Sequence, residues 1–324
     1  MIGWLLRRLG QAALVVLAMT LIVFVGLHTI GNPADILIGE DLNQQERLAA
    51  IARLGLDRPL WQQYLAFVDG AVHGQLGRSF VYQEDAVRLI LQRLPATLEL
   101  AVSALLMAVL LGVPLGLYAG MRPDHWVSKA LMASSIVGFS LPAFWVALML
   151  IMVFSVQLGW LPASGRGATV TLFGVPWSWL TLDGWHHLLL PALNLALFKI
   201  SLVMRLTRAG VREVLPQDFV KFARAKGLSP LRVTLMHVLR NTLVPLVTVL
   251  GLELGSTIAY AVVTETIFAW PGAGKLILDS INTLDRPVVV AYLMVVVLLF
   301  VSINLCVDLL YRLLDPRVRL EAAK

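Results

Sequence analysis

The chain has 324 residues, of which 58% are hydrophobic and only 14% charged, a balance that excludes one ordinary soluble domain and places the protein in a bilayer. A net charge of +6 would suit nucleic acid only if the bases gathered on a soluble face; here they follow membrane topology, so no nucleic-acid partner is expected. The one cysteine, Cys306, lies inside the last apolar run, which excludes an intrachain disulfide and a thiolate metal cluster.

Hydrocarbon about 30 Å thick takes about 20 apolar residues of helix. Six stretches qualify: 9–30, 98–119, 130–158, 187–206, 243–264 and 288–311. Lys and Arg set the orientation. With both ends in the cytoplasm, that side collects Arg7, Arg8, Arg122, Lys129, the bases from Lys199 to Arg240, and Arg312, Arg317, Arg319 and Lys324. The expectation is an all-α integral membrane protein with six transmembrane helices and both termini cytoplasmic. It divides into an N-terminal end with the first span (1–30), a periplasmic amphipathic segment (31–97), a five-helix core (98–311) carrying a cytoplasmic loop at 207–242, and a cytoplasmic tail (312–324).

The first run follows Arg7-Arg8, exceeds a signal-peptide core in length and is followed by no small-x-small cleavage pattern, so a retained anchor is predicted. In the outer segment Leu60, Tyr64, Val68 and Val72 recur at i, i+4 spacing from a helix starting near Pro59. That stripe is buried on the chain's own helices or at the lipid interface, or else on a partner protein outside the membrane. The second span ends near Tyr118, before a short turn at Met121-Arg122-Pro123-Asp124. The third holds Pro142 and is long enough to tilt or kink. Pro114, Pro191 and Pro245 also sit in or at the ends of spans, as bending points or as static packing positions. Trp160, Trp177, Trp179 and Trp185 crowd the 159–186 loop; such aromatics mark a membrane interface, and a substrate-binding cluster is the alternative.

Lys199 and Glu253 are the deepest charges in the spans, at comparable depth. In one reading Lys199 snorkels to the cytoplasmic edge while Glu253 is protonated or hydrogen-bonded at an interface. In the other, one or both line the translocation path, as a salt bridge that changes between states or with Glu253 attracting a cationic group.

Between the fourth and fifth spans lies QDFVKFARAKGLSPLRVTLMHVLRN, residues 217–241. Gln217 to Lys226 reads as a short helix with an acid, Asp218, in its first turn, bases near its end, and Gly227 suited to C′. A second helix restarts after Ser229-Pro230. Further on, Gly272-Ala273-Gly274-Lys275 fails as a phosphate loop, because Ala269 stands where Gly is required and Leu276 where Ser or Thr must hold magnesium. Asp308 and Arg312 have i, i+4 spacing for a structural pair. No HExxH, GxSxG or paired cysteines occur, so no catalytic or metal residues are assigned. A channel, a secondary carrier or an intramembrane protease stands as the class-different alternative.

Several segments carry a family resemblance. ARAKG followed by His237-Val238-Leu239-Arg240-Asn241 resembles the cytoplasmic loop of ABC importer permeases in the dipeptide, oligopeptide and nickel branch. The opening RRLG with a long apolar run, His28 and Asn32-Pro33, then LGLDRPLWQQYL, HGQLGRSF, TETIFAWPGAGKL and VDLLYRLLDPRVR, are similar to the same branch. Three places depart from it: Lys221-Phe222-Ala223 replaces Glu-Ala-Ala, Leu239-Arg240 replaces Leu-Pro, and Ile30-Gly31-Asn32-Pro33 replaces Pro-Gly-Asp-Pro.

The resemblance implies a type I ABC importer permease fold in the bacterial inner membrane, working by alternating access. Gln217, Asp218, Phe219, Phe222, Ala223, Arg224, Ala225, Lys226 and Gly227 would form the coupling helix that docks on the ATPase. Implied partners are a second homologous permease, one or two ABC ATPase subunits and a periplasmic solute-binding protein. No cofactor is expected in this chain, ATP and magnesium belonging to the partner ATPases. Di- or oligopeptides are the first expectation for the solute; nickel, metal chelates, opines, glutathione and oligosaccharides stay open.

Overall fold

The apolar runs fold as helices, most of them longer than hydrocarbon thickness requires. The computed structural model describes residues 2–30 and 58–314. It contains α1 Ile2–Ile30, α2 Leu60–Val72, α3 Ala86–Met121, α4 Trp126–Ser140 and α5 Ala143–Leu150, the last continued by a π-helical turn Ile151–Gln157. There follow β1 Val170–Leu172 and β2 Val175–Trp177, an antiparallel hairpin. Then come α6 Leu182–Val214, α7 Asp218–Ala225, α8 Arg240–Ile267, α9 Ala273–Asn282 and α10 Arg286–Leu314. The turn at Gly31-Asn32-Pro33, the outer segment as far as residue 57, the tail from 315 and the Arg312 side chain of the expected Asp308 pair lie outside the described residues.

Five helices are long and apolar enough to span: Leu6–Gly26 of α1, α3, α6, Pro245–Ile267 of α8 and Arg286–Leu309 of α10. The expected third span is instead α4 and α5, bent by 106°. Pro142 causes the bend: it has no N–H to donate and forces its predecessor out of helical geometry, and Leu141 is extended at φ −77, ψ 135. Pro95, Pro114, Pro191 and Pro245 lie inside continuous helices, so of the prolines considered only Pro142 interrupts one. The two ends of the bent pair meet α3 at well-separated points. His125, just before α4, meets the Tyr118 hydroxyl at 3.3 Å, whereas Arg166, just beyond the π-turn, pairs with Glu99. Tyr118 and Glu99 sit on the same continuous α3, about 28 Å apart at 1.5 Å per residue.

α3 starts well before residue 98. The Asp85 carboxylate accepts from the Arg88 amide at 3.0 Å, filling an orphan donor of the first turn, and Ala86, Leu89 and Ile90 are buried. The last part of the expected outer segment is therefore the beginning of a membrane helix.

The chain divides into two compact units, Met1–Leu94 with Lys275–Ser302 and Pro95–Gly274 with Ile303–Lys324. In the first, α2 lies on α1: the Thr20 and Tyr64 hydroxyls are 2.8 Å apart, and Phe24 packs edge-on to Tyr64 at 5.4 Å and beside Phe67 at 6.0 Å. The apolar stripe is thus covered at Tyr64, with Phe67 beside it, while Leu60 and Val72 at its ends are exposed. Elsewhere in this unit the buried Asp285 carboxylate accepts from the Ser79 hydroxyl and from the Phe80 amide at 3.1 Å, tying the segment before α3 to the start of α10.

In the second unit α3 packs on α6 through Gly112, Gly116 and Gly120, one helix face at every fourth residue. A Cβ at these positions would stand 2.8 Å from Val203, 2.5 Å from the Met204 carbonyl and 2.7 Å from Val211. Small residues let backbones approach where lipid supplies no hydrophobic drive for helix association. Ala96, Leu100 and Ala104 meet Leu188, Ala192, Ala196, Ala261 and Trp270 in the adjoining core.

Candidate coupling loop and intramembrane ion pair

α7 is built as its sequence predicts. Gln217 is the N-cap and Asp218 opens the first turn, where negative charge suits the helix dipole. Lys221 donates to the Asp218 carboxylate at 2.9 Å, and that hydrogen bond, together with the lysine charge, holds the Asp218 carboxyl below its usual range. At the other end the Gly227 amide donates to the Arg224 carbonyl at 2.9 Å and the Leu228 amide to the Ala223 carbonyl at 3.4 Å, the two bonds of a Schellman stop. Gly227 has φ +74, and a Cβ added there would meet no atom within 4 Å, so backbone conformation and not room is what calls for glycine. Ser229 then caps the restart at the Arg232 amide, 3.4 Å, with Pro230 at N1; the following Val233–Leu239 is π-helical, which the sequence did not foretell.

Of the predicted docking residues, Ala223 points inward. With Val220 it is buried against Val211, Val233 and Val238, the i, i+3 pair that fastens α7 to its base. Gln217, Asp218, Phe219, Phe222, Arg224, Ala225, Lys226 and Gly227 are all exposed. Phe222 is 61% exposed with the Lys226 ammonium 4.6 Å from its ring centre. The loop presents Phe219 and Phe222 between bases on a fixed base, a surface suited to an apolar groove with an acidic rim.

Lys199 and Glu253 meet. The ammonium of Lys199, a residue only 4% exposed, donates to the Glu253 carboxylate and to the Ser256 hydroxyl at 2.9 Å. Ser256 lies 2.9 Å from the Glu253 carboxylate as well. Lys199 therefore does not snorkel. The Glu253 side chain keeps 23% exposure, so the pair has one open edge in the middle of two helices. Depth alone had not shown that the two faces coincide; the crossing of α6 and α8 does.

A buried charge cluster was missed in the sequence. Glu99 in α3, fully buried, accepts from the Ser178 and Trp179 amides at 2.6 and 3.0 Å and pairs with Arg166 at 2.6 Å. Arg166 also donates to the Pro176 carbonyl at 2.7 Å. Two tryptophans reinforce this anchor: Trp179 donates to Ser103 at 2.8 Å, and Trp185 to the Trp179 carbonyl at 2.9 Å. Trp160 is exposed. An acid inside an apolar run was the available signal for Glu99.

The TETIFAWPGAGKL segment turns out to be a second anchor. Glu265, fully buried, accepts from the Thr97 hydroxyl at 2.6 Å, the Thr97 oxygen accepts from the Ala273 amide at 2.8 Å, and Trp270 donates to the Ala96 carbonyl at 2.9 Å. A Cβ on Gly272 would fall on the Glu265 carboxylate. The Gly272 amide donates to the Trp270 carbonyl at 2.8 Å, so these amides are engaged internally and form no phosphate cradle. Among the described residues no group of three His, Cys, Asp or Glu side chains forms a metal site.

The profile of the family described as binding-protein-dependent transport system inner membrane component matches residues 112–320, and that of its N-terminal region matches residues 1–101. The chain belongs to this family. As a member it is a multi-pass inner-membrane permease subunit of an ABC importer, and ATP hydrolysis belongs to separate subunits. Among its relatives, the di/tripeptide transport system permease protein DppB of Pseudomonas aeruginosa is 41% identical over 98% of this chain and 99% of its own. The dipeptide transport system permease protein DppB of Escherichia coli K12 is 37% identical over the same shares, and the glutathione transport system permease protein GsiC of E. coli O6:H1 is 35% identical over 98% and 99%. Inward-facing structures of the MetNI methionine ABC transporter share the fold, with TM-scores of 0.54 and 0.56 at 18% identity, covering 70% of this chain and 96% of theirs. The type I permease fold and the importer class expected from the motifs are thus established.

Proposed function

We propose that this permease carries di- and tripeptides from periplasm to cytoplasm as one half of a pair with a second, homologous permease. The carrying observation is the 41% identity, end to end, with a di/tripeptide permease. One or two ABC ATPase subunits, holding ATP and magnesium, dock on α7 through Phe219, Phe222 and the surrounding bases; a periplasmic solute-binding protein delivers the peptide. Both termini face the cytoplasm, an even number of crossings following if the α4–α5 pair counts as one. On ATP-driven closure the rigid base of α7 transmits the pull to α6 and α8, and with them to the Lys199–Glu253 pair, which lines the path.

The test is uptake into proteoliposomes holding the assembled transporter with its binding protein. ATP-dependent accumulation of labelled dipeptide is expected. Accumulation of glutathione with no dipeptide uptake would favour the second reading, which the 35% identity with a glutathione permease supports.

A further inference from the structure

The last turns of α6 carry Arg205, Arg208 and Arg212, spaced i, i+3 and i+7 on one face. With Ala209 and, from α4, Met132, Ser135 and Ile136, they line an open cavity of about 410 Å³. The Arg208 Nε is buried and makes no hydrogen bond. Arg205 lies over the Phe139 ring at 4.8 Å, and among the described residues no carboxylate pairs with any of the three. One turn further along the α4 face formed by Met132 and Ile136 stands the exposed Lys129.

Three guanidinium groups gathered beside apolar surface with no carboxylate among them are costly unless an anion joins them. Planar guanidinium forks match phosphate oxygens. The cavity lies where the apolar part of α6 gives way to the basic loop, between two membrane helices, and its far wall is apolar. Charge next to a hydrocarbon wall at a membrane edge is the chemistry of a phospholipid head and the start of its chains, and basic pockets between spans bind such heads. A freely soluble anion has no use for the Met132 and Ile136 wall.

We propose that this cavity binds the phosphate of an anionic phospholipid, bridging α4 and α6 immediately before the coupling loop. The site does not depend on which solute is carried. Native mass spectrometry of the assembled transporter, titrated with phosphatidylglycerol and separately with phosphatidylcholine, tests it. Wild type is expected to prefer phosphatidylglycerol, and Arg205→Gln with Arg208→Gln to lose that preference by about twenty-fivefold, the product of a roughly fivefold loss for each charge removed. Arg205→Lys with Arg208→Lys keeps the charge and retains most of the preference; if the Gln variant fails to assemble, this variant and the weakening of wild-type binding by salt carry the test. Arg88→Gln, an exposed base outside the cavity, leaves it unchanged. Equal affinity for the two lipids in wild type, or an unchanged preference in the Gln variant, would overturn the proposal. Displacement of the lipid by inorganic phosphate alone, or by a dipeptide, would assign the cavity to a soluble anion or to the solute path and overturn the lipid assignment.

Discussion

Among single residues, the costly ones are the charges set in apolar surroundings. A lone charge at the middle of a span costs about 2.5–3.5 kcal/mol on insertion scales, and the pairing of Lys199 with Glu253 and Ser256 offsets that cost. Removing one partner leaves the other buried and uncompensated, so the two positions are energetically coupled. Uptake by Lys199→Met, Glu253→Gln and the combined variant should show it: each single substitution lowers transport, and the double is less impaired than the product of the singles. Strictly independent effects would mean the pair does not act as one, and normal uptake in all three would remove it from the path. Glu99 and Arg166 differ in kind, because two backbone amides and a carbonyl complete their network; they hold a loop in place.

Helix α7 depends on its ends and its inward face. Val220 and Ala223 fasten it, while the Schellman stop at Gly227 directs the chain to Ser229 and the restart. A residue with a Cβ held at φ +74 is strained by about 1–2 kcal/mol, with Asn the mildest replacement. Gly227→Leu is therefore expected to reach the membrane yet lose both solute-stimulated ATP hydrolysis and uptake, and Gly227→Asn to keep a substantial part of each. Normal hydrolysis and uptake with Leu would show that this loop is not where the ATPase couples.

For the whole molecule, the governing question is which side each anchor faces. The segment around Gly272 is held by Glu265 and Thr97 near the start of α3, remote along that helix from Tyr118 and the basic loop. If both termini are cytoplasmic, as proposed, it faces outward. A cysteine at position 275, in a background where the exposed Cys306 is replaced by serine, should react with an impermeant thiol reagent in intact spheroplasts. Reaction only after the inner membrane is broken would invert the topology, since every span is counted from the same assumption.

Composition, hydropathy and local signals determined a great deal without help: a membrane protein, the apolar cores of its spans, and the start and stop of α7 from Asp218, Gly227 and Ser229-Pro230. These properties are local, set by transfer of each run to hydrocarbon and by backbone preferences of residues near in sequence. The 324-residue chain alone did not show that Pro142 breaks a helix while Pro114, Pro191 and Pro245 do not, because neighbouring helices decide whether a freed carbonyl is tolerated. Nor did it show that Ala223 faces inward, or that Glu99 waits for an arginine 67 positions away. Lys199 and Glu253 were legible as deep charges, but only the crossing of α6 and α8 turned them toward each other: depth is measured along one helix, and contact depends on the rotation of two.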